Sequence, residues 1–281
     1  MEVKIIECPR DAMQGLKHFI DTSKKIKYLN SLLEVGFDTL DCGSFVSPKL
    51  IPQMADTALV LKKLNHSSTK LSVIVANMRG AIDASEFENV TYLGFPFSVS
   101  ETFQLKNTNS TMRDSLGTVR NIINRCAMKN KKFIAYISMC FGNPYGDLWN
   151  EDIVLQWIKK LQDEGANYFS LSDTAGMSNP ATISTVIKTI REEFPKLNFG
   201  CHFHSHDYNW QEKLQAAIDS GCLRFDGALK GFGGCPMASD NLVGNMPTEL
   251  MVDFIEKKGI KTGLNISKLN DSIKMANEIF N

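Results

Sequence analysis

This 281-residue chain lacks several features, and each absence narrows its class. It has no net charge: Lys plus Arg and Asp plus Glu are equal at 31 each. That balance argues against a nucleic-acid-binding surface and against a polybasic membrane face. No apolar run approaches the roughly 18 residues that a membrane helix needs. The seven cysteines are odd in number, scattered, and contain no CxxC pair. A zinc knuckle or a disulfide framework is therefore not expected, and free thiols in a reducing cytoplasm fit best. The opening MEVKIIECPRD has no basic stretch leading into an apolar one, so no secretory signal is expected and the expected location is cytoplasmic. The glycines at 231, 233 and 234 lack the GxGxxG spacing of a dinucleotide loop. No Pro- or Gly-rich linker divides the chain, so a single catalytic domain over residues 1–281 is expected.

What is present is an ordinary globular composition, 43% hydrophobic and 22% charged. Short β-rich runs alternate with segments of helical period. The strands expected are Val3–Glu7, Thr39–Cys42, Leu71–Ala76, Val90–Leu93, Phe133–Ser138, Tyr168–Leu171, Phe199–His204 and Arg224–Gly227. Between them, Ile26, Leu29, Leu32 and Leu33 share one helical face. So do Ile153, Trp157, Ile158 and Leu161, and likewise Ile183, Val186, Ile187 and Ile190. Right-handed crossovers make such a sheet parallel, and eight repeats favour closure. The fold class is therefore α/β, a (β/α)8 TIM barrel, with an additional C-terminal helix over Asn265–Phe280 for which Ser267 is a candidate N-cap.

Active sites of such barrels lie in the loops that follow the strands. The most informative of these is Cys201-His202-Phe203-His204-Ser205-His206-Asp207. On a strand, alternating residues point to one side, so the three histidines are expected to share the barrel interior. His204 and His206 are nearest the mouth and are candidate ligands of a divalent metal, whereas His202, one layer deeper, is expected to fill the barrel and to stand outside the site. Asp11, leaving the first strand, is a candidate carboxylate ligand, and Arg10 offers fixed donors and a permanent charge beside it. Cys235 follows the glycine loop after the eighth strand, where its thiol could transfer a proton if cations lower its pKa. Asn245 could add an amide oxygen ligand, with Glu249 orienting it.

Together these segments resemble the 3-hydroxy-3-methylglutaryl-CoA lyase family of metal-dependent TIM-barrel lyases. Segments of the type xPRDGLQ, SFVSPKxxPQM, SExFxxKNxNxT, GDTxG, HxHD and GxGGCPxA correspond to Cys8–Gln14, Ser44–Met54, Ser100–Thr111, Ser172–Gly176, His204–Asp207 and Gly231–Ala238. The resemblance covers nearly the whole chain. It implies metal-dependent retro-Claisen cleavage of 3-hydroxy-3-methylglutaryl-CoA to acetoacetate and acetyl-CoA, in leucine degradation or ketone body metabolism. It implies Mg²⁺ or Mn²⁺ on Asp11, His204, His206 and Asn245. It further implies Arg10, Cys235 and His204 as catalytic residues, with Gln14 and Asp173 lining the acyl pocket, and an acyl-CoA-binding homodimer. Asn77, Lys49 and Lys106 are candidates for the coenzyme A contact from loop position alone.

Three departures from the family pattern bear on the site. Asp41 stands where Glu is usual, so its contact to Arg10 or the metal is expected to be longer or water-bridged. The Cys235–Asn245 spacing is one residue longer than usual. Asn143 stands where a second loop cysteine is common. The other readings of the residues are a lyase for a related 3-hydroxyacyl-CoA, a Claisen-type synthase of 2-isopropylmalate or homocitrate, and a catalytically silent acyl-CoA-binding barrel. Synthases of that kind carry a further C-terminal region, whereas one helix is expected here after the barrel. A silent barrel would have lost its ligands, which are present.

Overall fold

The computed structural model describes residues 2–234 and 243–280. Eight strands run in chain order: β1 (Lys4–Glu7), β2 (Thr39–Ser44), β3 (Lys70–Ile74), β4 (Val90–Ser98), β5 (Lys132–Ser138), β6 (Tyr168–Asp173), β7 (Asn198–Ser205) and β8 (Arg224–Gly227). Each pairs in parallel with the next, and β8 pairs back onto β1, so the sheet closes into the expected barrel. A ninth short strand, β9 (Gly244–Asn245), lies antiparallel on β7 and was not foreseen. Seven of the barrel strands coincide with the expected ones to within two residues at each end, and β4 runs five residues beyond the expected Leu93, to Ser98. No helix among the described residues is long and apolar enough to cross a membrane.

Closure follows from two separate apolar layers. One is the shell between strands and helices. Leu29, Leu32 and Leu33 of the helix Thr22–Leu33 and Ile183, Val186, Ile187 and Ile190 of the helix Pro180–Glu193 are all buried there. Full burial of each such side chain contributes about 1.5–3 kcal/mol. The other is a small plug inside the barrel, made by Ile74, Tyr92, Ile134 and Tyr136. The remainder of the interior is polar: Asp41, Ser72, Ser170, His202 and Asp226 are all buried.

The terminal helix Ile266–Phe280 is present. Its start is capped by Asn265, whose Oδ1 accepts from the Lys268 N–H at 3.2 Å. Ser267, the expected cap, instead lies inside the first turn. The helix packs on Thr22–Leu33, with Tyr28 and Phe280 edge to face at 6.0 Å.

Candidate metal centre and active site

The chain leaves β1 through a short helix, Pro9–Gln14. Pro9 suits the first helical position, where a missing N–H costs nothing. The turn brings Arg10 and Asp11 over the mouth, 8% and 4% exposed. Arg10 is held as a fork. Its Nε and Nη2 donate to Asp41 Oδ2 at 3.0 and 2.6 Å. Its Nη1 donates to Asp11 Oδ1 and to Gln14 Oε1, both at 2.9 Å. Asp41 thus reaches Arg10 directly, which corrects the expected longer or water-bridged contact: β2 carries the aspartate close enough that the missing methylene is not needed. Burial raises the Asp11 carboxyl, but Arg10, His204 and His202 and the Asn245 amide outweigh it and hold it at about 2. Asp11 is therefore an anion despite its burial.

Across the mouth, β7 turns His202 and His204 inward, their rings 5.1 Å apart and edge to face. The His204 ring is 3.3 Å through Nδ1 from the Gly244 carbonyl. That oxygen can only accept, so Nδ1 carries the proton and Nε2 keeps its lone pair. Burial, and then the neighbouring His202, push His204 down to about 4, so it is a neutral imidazole. The β7–β9 pairing places Asn245 opposite His204. The Asn245 amide nitrogen donates to Asp11 Oδ2 at 2.7 Å and to the Phe232 carbonyl at 2.8 Å. Its Oδ1 is buried with no hydrogen-bond partner among the described residues. Gly233, at φ +100°, presses against this corner: a Cβ there would stand 2.7 Å from both the Asn245 amide nitrogen and the Asp11 carbonyl. Only glycine admits so close an approach.

Asp11, His202 and His204 present ligand atoms all within 4.8 Å of one another, and all three are buried. A carboxylate, neutral imidazole nitrogen and an orphaned amide oxygen form a donor set that fits a divalent cation.

The histidine alternation is only partly kept. β7 ends at Ser205, and the chain turns as the His206 N–H donates to Asn209 Oδ1 at 2.9 Å. His206 therefore lies past the strand end and is not in the ligand group of Asp11, His202 and His204. It is exposed, its ring stacked on Tyr208 at 5.2 Å. It lines a cavity of about 630 Å³ beside the centre together with Ser205, Lys230, Asn245 and Glu249.

Other expected residues take supporting parts. Gln14 donates to Asp11 Oδ1 at 2.8 Å and so completes the Arg10 fork. Glu249 does not orient Asn245; its Oε2 accepts from the Lys230 N–H at 2.9 Å, while Asp11 and the Phe232 carbonyl do the orienting. Asp173 does not stand free in a pocket. Its oxygens accept from Met177 and Ser178 N–H groups and the Ser178 hydroxyl, in its own loop, and from Lys213 Nζ, in the helix Trp210–Asp219 that follows β7. Asn77 is exposed and caps the helix Met78–Ser85 by accepting from the Gly80 N–H at 3.0 Å. Lys49 is exposed, and Lys106 sits over the Tyr145 ring at 4.5 Å. Asn143 braces its own loop, accepting from Tyr145 and Asp147 N–H groups and donating to the Asp147 carbonyl. Cys235 lies outside the described residues.

Several residues that hold the site together were missed in the sequence. Glu7 is fully buried and joins three segments, accepting from the Leu229 N–H at 2.8 Å and from the Thr248 hydroxyl at 2.6 Å. Burial dominates and raises it to about 8. Lys213 is also fully buried, donating to Asp173 at 2.7 Å and to the Gly176 and His204 carbonyls, each at 3.0 Å. Asp226 meets His202 Nδ1 at 3.2 Å inside the barrel. A lysine on the apolar face of a helix and an acid in mid-strand were the available signals.

Comparison with known proteins places this geometry. A profile of the HMGL-like family matches residues 2–275. The chain is 32% identical over 272 residues to the mitochondrial hydroxymethylglutaryl-CoA lyase of Macaca fascicularis, covering 95% of this chain and 82% of that protein. It is 32% identical over 275 residues to the hydroxymethylglutaryl-CoA lyase of Bacillus subtilis (strain 168), covering 96% and 90%. Among solved structures, the HMG-CoA lyase of Brucella melitensis superposes with a TM-score of 0.92 at 27% identity, covering 99% and 98% of the two chains. An HMG-CoA lyase from Acinetobacter baumannii in complex with coenzyme A and 3-methylmalate gives a TM-score of 0.93 at 29% identity, covering 99% and 91%.

Proposed function

The chain belongs to the HMGL-like family, and on that premise we propose that it is a hydroxymethylglutaryl-CoA lyase, cleaving 3-hydroxy-3-methylglutaryl-CoA to acetoacetate and acetyl-CoA with Mg²⁺ or Mn²⁺. The observation that carries this reading is the convergence at one mouth of Arg10, the anionic Asp11, the neutral His204 and the unpartnered Oδ1 of Asn245. Asp11, His204 and Asn245 would hold the cation. His206 is proposed as a further ligand from the family pattern.

In the reaction the C2–C3 bond breaks. The C3 hydroxyl loses its proton to become the ketone of acetoacetate, and the electron pair passes into the thioester as an enolate. A bound divalent cation supplies Lewis acidity for that hydroxyl. Arg10 answers the enolate oxygen. A guanidinium has five N–H groups, and Asp41, Asp11 and Gln14 take four of them. The remaining Nη2 N–H is available for charge that develops as the bond breaks. The fork fixes its direction in advance. Asp11 stays ionised beside it, and His204, its Nδ1 proton held by the Gly244 carbonyl, would assist the proton's departure to solvent water by helping to hold the cation that lowers the hydroxyl pKa. Cys235 is proposed to return a proton to C2 of the enolate.

Leucine degradation or ketone body metabolism, a cytoplasmic location and a homodimer belong to the same reading. The relative solved with coenzyme A supports an acyl-CoA substrate. The deciding experiment incubates EDTA-stripped protein with HMG-CoA, with and without Mg²⁺ or Mn²⁺, and follows acetyl-CoA. Metal-dependent release is expected. Its absence, with cleavage of a related 3-hydroxyacyl-CoA instead, would move the assignment to that substrate.

A further inference from the structure

We propose that His202 is an additional ligand of the metal, one that makes this centre nitrogen-rich and selective for a transition-metal ion over Mg²⁺. The inference rests on the metal-dependent reading above and deepens it. His202 occupies a position in the barrel-filling layers, one layer below the mouth. Here a buried imidazole occupies it, 7% exposed.

Three independent observations give that imidazole a ligand's surroundings. First, its ligand atom lies within 4.8 Å of those of Asp11 and His204, the two residues already placed at the centre. Second, its Nδ1 is 3.2 Å from Asp226 Oδ2. A carboxylate there fixes the Nδ1 proton; against burial, Asp226 and then Asp11 raise His202, so a cation would coordinate Nε2 by displacing its proton. The carboxylate–histidine–metal arrangement is how proteins orient imidazole ligands and raise their basicity. Third, Asp226 is itself positioned, its Oδ2 also accepting from the Ser170 hydroxyl at 3.1 Å, all inside the barrel. The two histidines are thus held by different anchors, Asp226 for one and the Gly244 carbonyl for the other, and both anchors leave Nε2 free.

The consequence for the ion follows from ligand hardness. Mg²⁺ prefers oxygen ligands and near-ideal octahedral geometry, whereas imidazole suits Mn²⁺, Fe²⁺, Co²⁺ and Zn²⁺ progressively better. A second imidazole from β7 therefore adds affinity for those ions with little gain for Mg²⁺. Cys8, His202 and Asp226 form a second group of donors that shares His202. In it Asp226 Oδ2 is taken by His202 and Ser170, Oδ1 is buried with no hydrogen-bond partner among the described residues, and burial, reinforced by Asp226 and Asp41, keeps the Cys8 thiol protonated.

The test uses the full-length metal-stripped protein. Mn²⁺ binding is titrated by electron paramagnetic resonance, Mg²⁺ by competition, and nitrogen couplings are read from electron spin-echo modulation of the Mn²⁺ form. Wild type is compared with His202→Ala, and with His202→Gln, which keeps bulk and a donor for Asp226 but has no imidazole. Folding is monitored by circular dichroism. The expected result is that both variants weaken Mn²⁺ at least about tenfold, change Mg²⁺ far less, and lose the His202 share of the imidazole modulation while keeping that of His204. Wild-type Mn²⁺ affinity and modulation in a folded variant would overturn the proposal while leaving the metal dependence intact. A Cys8→Ser protein with weakened Mn²⁺ beside an unaffected Asp11→Asn protein would overturn it too, by placing the ion one layer deeper. Failure of the wild type to bind either ion would remove the underlying reading along with it.

Discussion

Replacing Arg10 by methionine tests the fork most directly. Four of the five guanidinium N–H groups are committed to Asp41, Asp11 and Gln14, so one donor is left for the enolate oxygen. A single preorganised oxyanion donor is worth about 2.7–4 kcal/mol, or roughly 10²–10³ in kcat. Arg10→Met should therefore lower kcat by about that factor at saturating HMG-CoA and Mn²⁺, with a smaller change in KM, because the charge it meets exists only as the bond breaks. Arg10→Lys should recover little. An ammonium has three donors and no fork, and cannot serve two carboxylates, an amide and the oxyanion together. Arg10→Met also leaves Asp11 and Asp41 buried without their cation, a loss of about 3–5 kcal/mol in stability. The assay is steady-state acetyl-CoA release at a temperature where circular dichroism shows the variant folded. A kcat within about tenfold of wild type would refute the assigned donor.

Glu7 sets a pH dependence of stability. Its carboxyl titrates at about 8 in the fold against an ordinary 4.5, so between these values the unfolded chain has released a proton that the native state keeps. Stability should fall as pH rises from about 4.5 to about 8, and Glu7→Gln should flatten that slope in urea titrations across the range. Lys213→Met leaves the Asp173 carboxylate buried without its cation. It should cost about 3–5 kcal/mol and lower Tm by roughly 5–8 °C; a drop under about 2 °C in a thermal melt would count against the role of this pair. Mn²⁺ at a hundred times its Kd should raise stability by about 2.7 kcal/mol, and Asn245→Ala should abolish most of that gain in the same melt. His206→Ala should weaken Mn²⁺ binding; a protein with full metal occupancy would remove His206 from the ligand set.

The barrel was legible because its signal is local and repeated. Each strand declares itself by a β-rich apolar run, each helix by a 3.6-residue period, and neither depends on distant residues. The pairing of β1 with β8 then follows from the repeat count, and it brings Asp11 opposite β7. The terminal helix was equally plain, although two neighbouring polar residues competed for its cap and the structure chose Asn265. The site was legible only to the level of which loops take part. Arg10 and Asp11 could be placed at the mouth, but not the Gln14 amide that braces both or the direct reach of Asp41.

The histidines mark the boundary between the two kinds of information. Alternation along a strand is a property of the chain, so the sequence by itself determined that His202 and His204 face the same way. Where the strand stops is a property of the fold. β7 ends at Ser205, because the turn that begins at His206 is stabilised by Asn209 and the next helix, and that moves His206 out of the row. The partners were equally nonlocal. Asn245 reaches the centre only through its antiparallel pairing with His204, and Asp226 reaches His202 only because β7 and β8 are neighbours in a closed sheet. Periodicity assigns a side chain to a face, whereas barrel closure and burial decide which polar atoms on that face must satisfy one another, and at what distance.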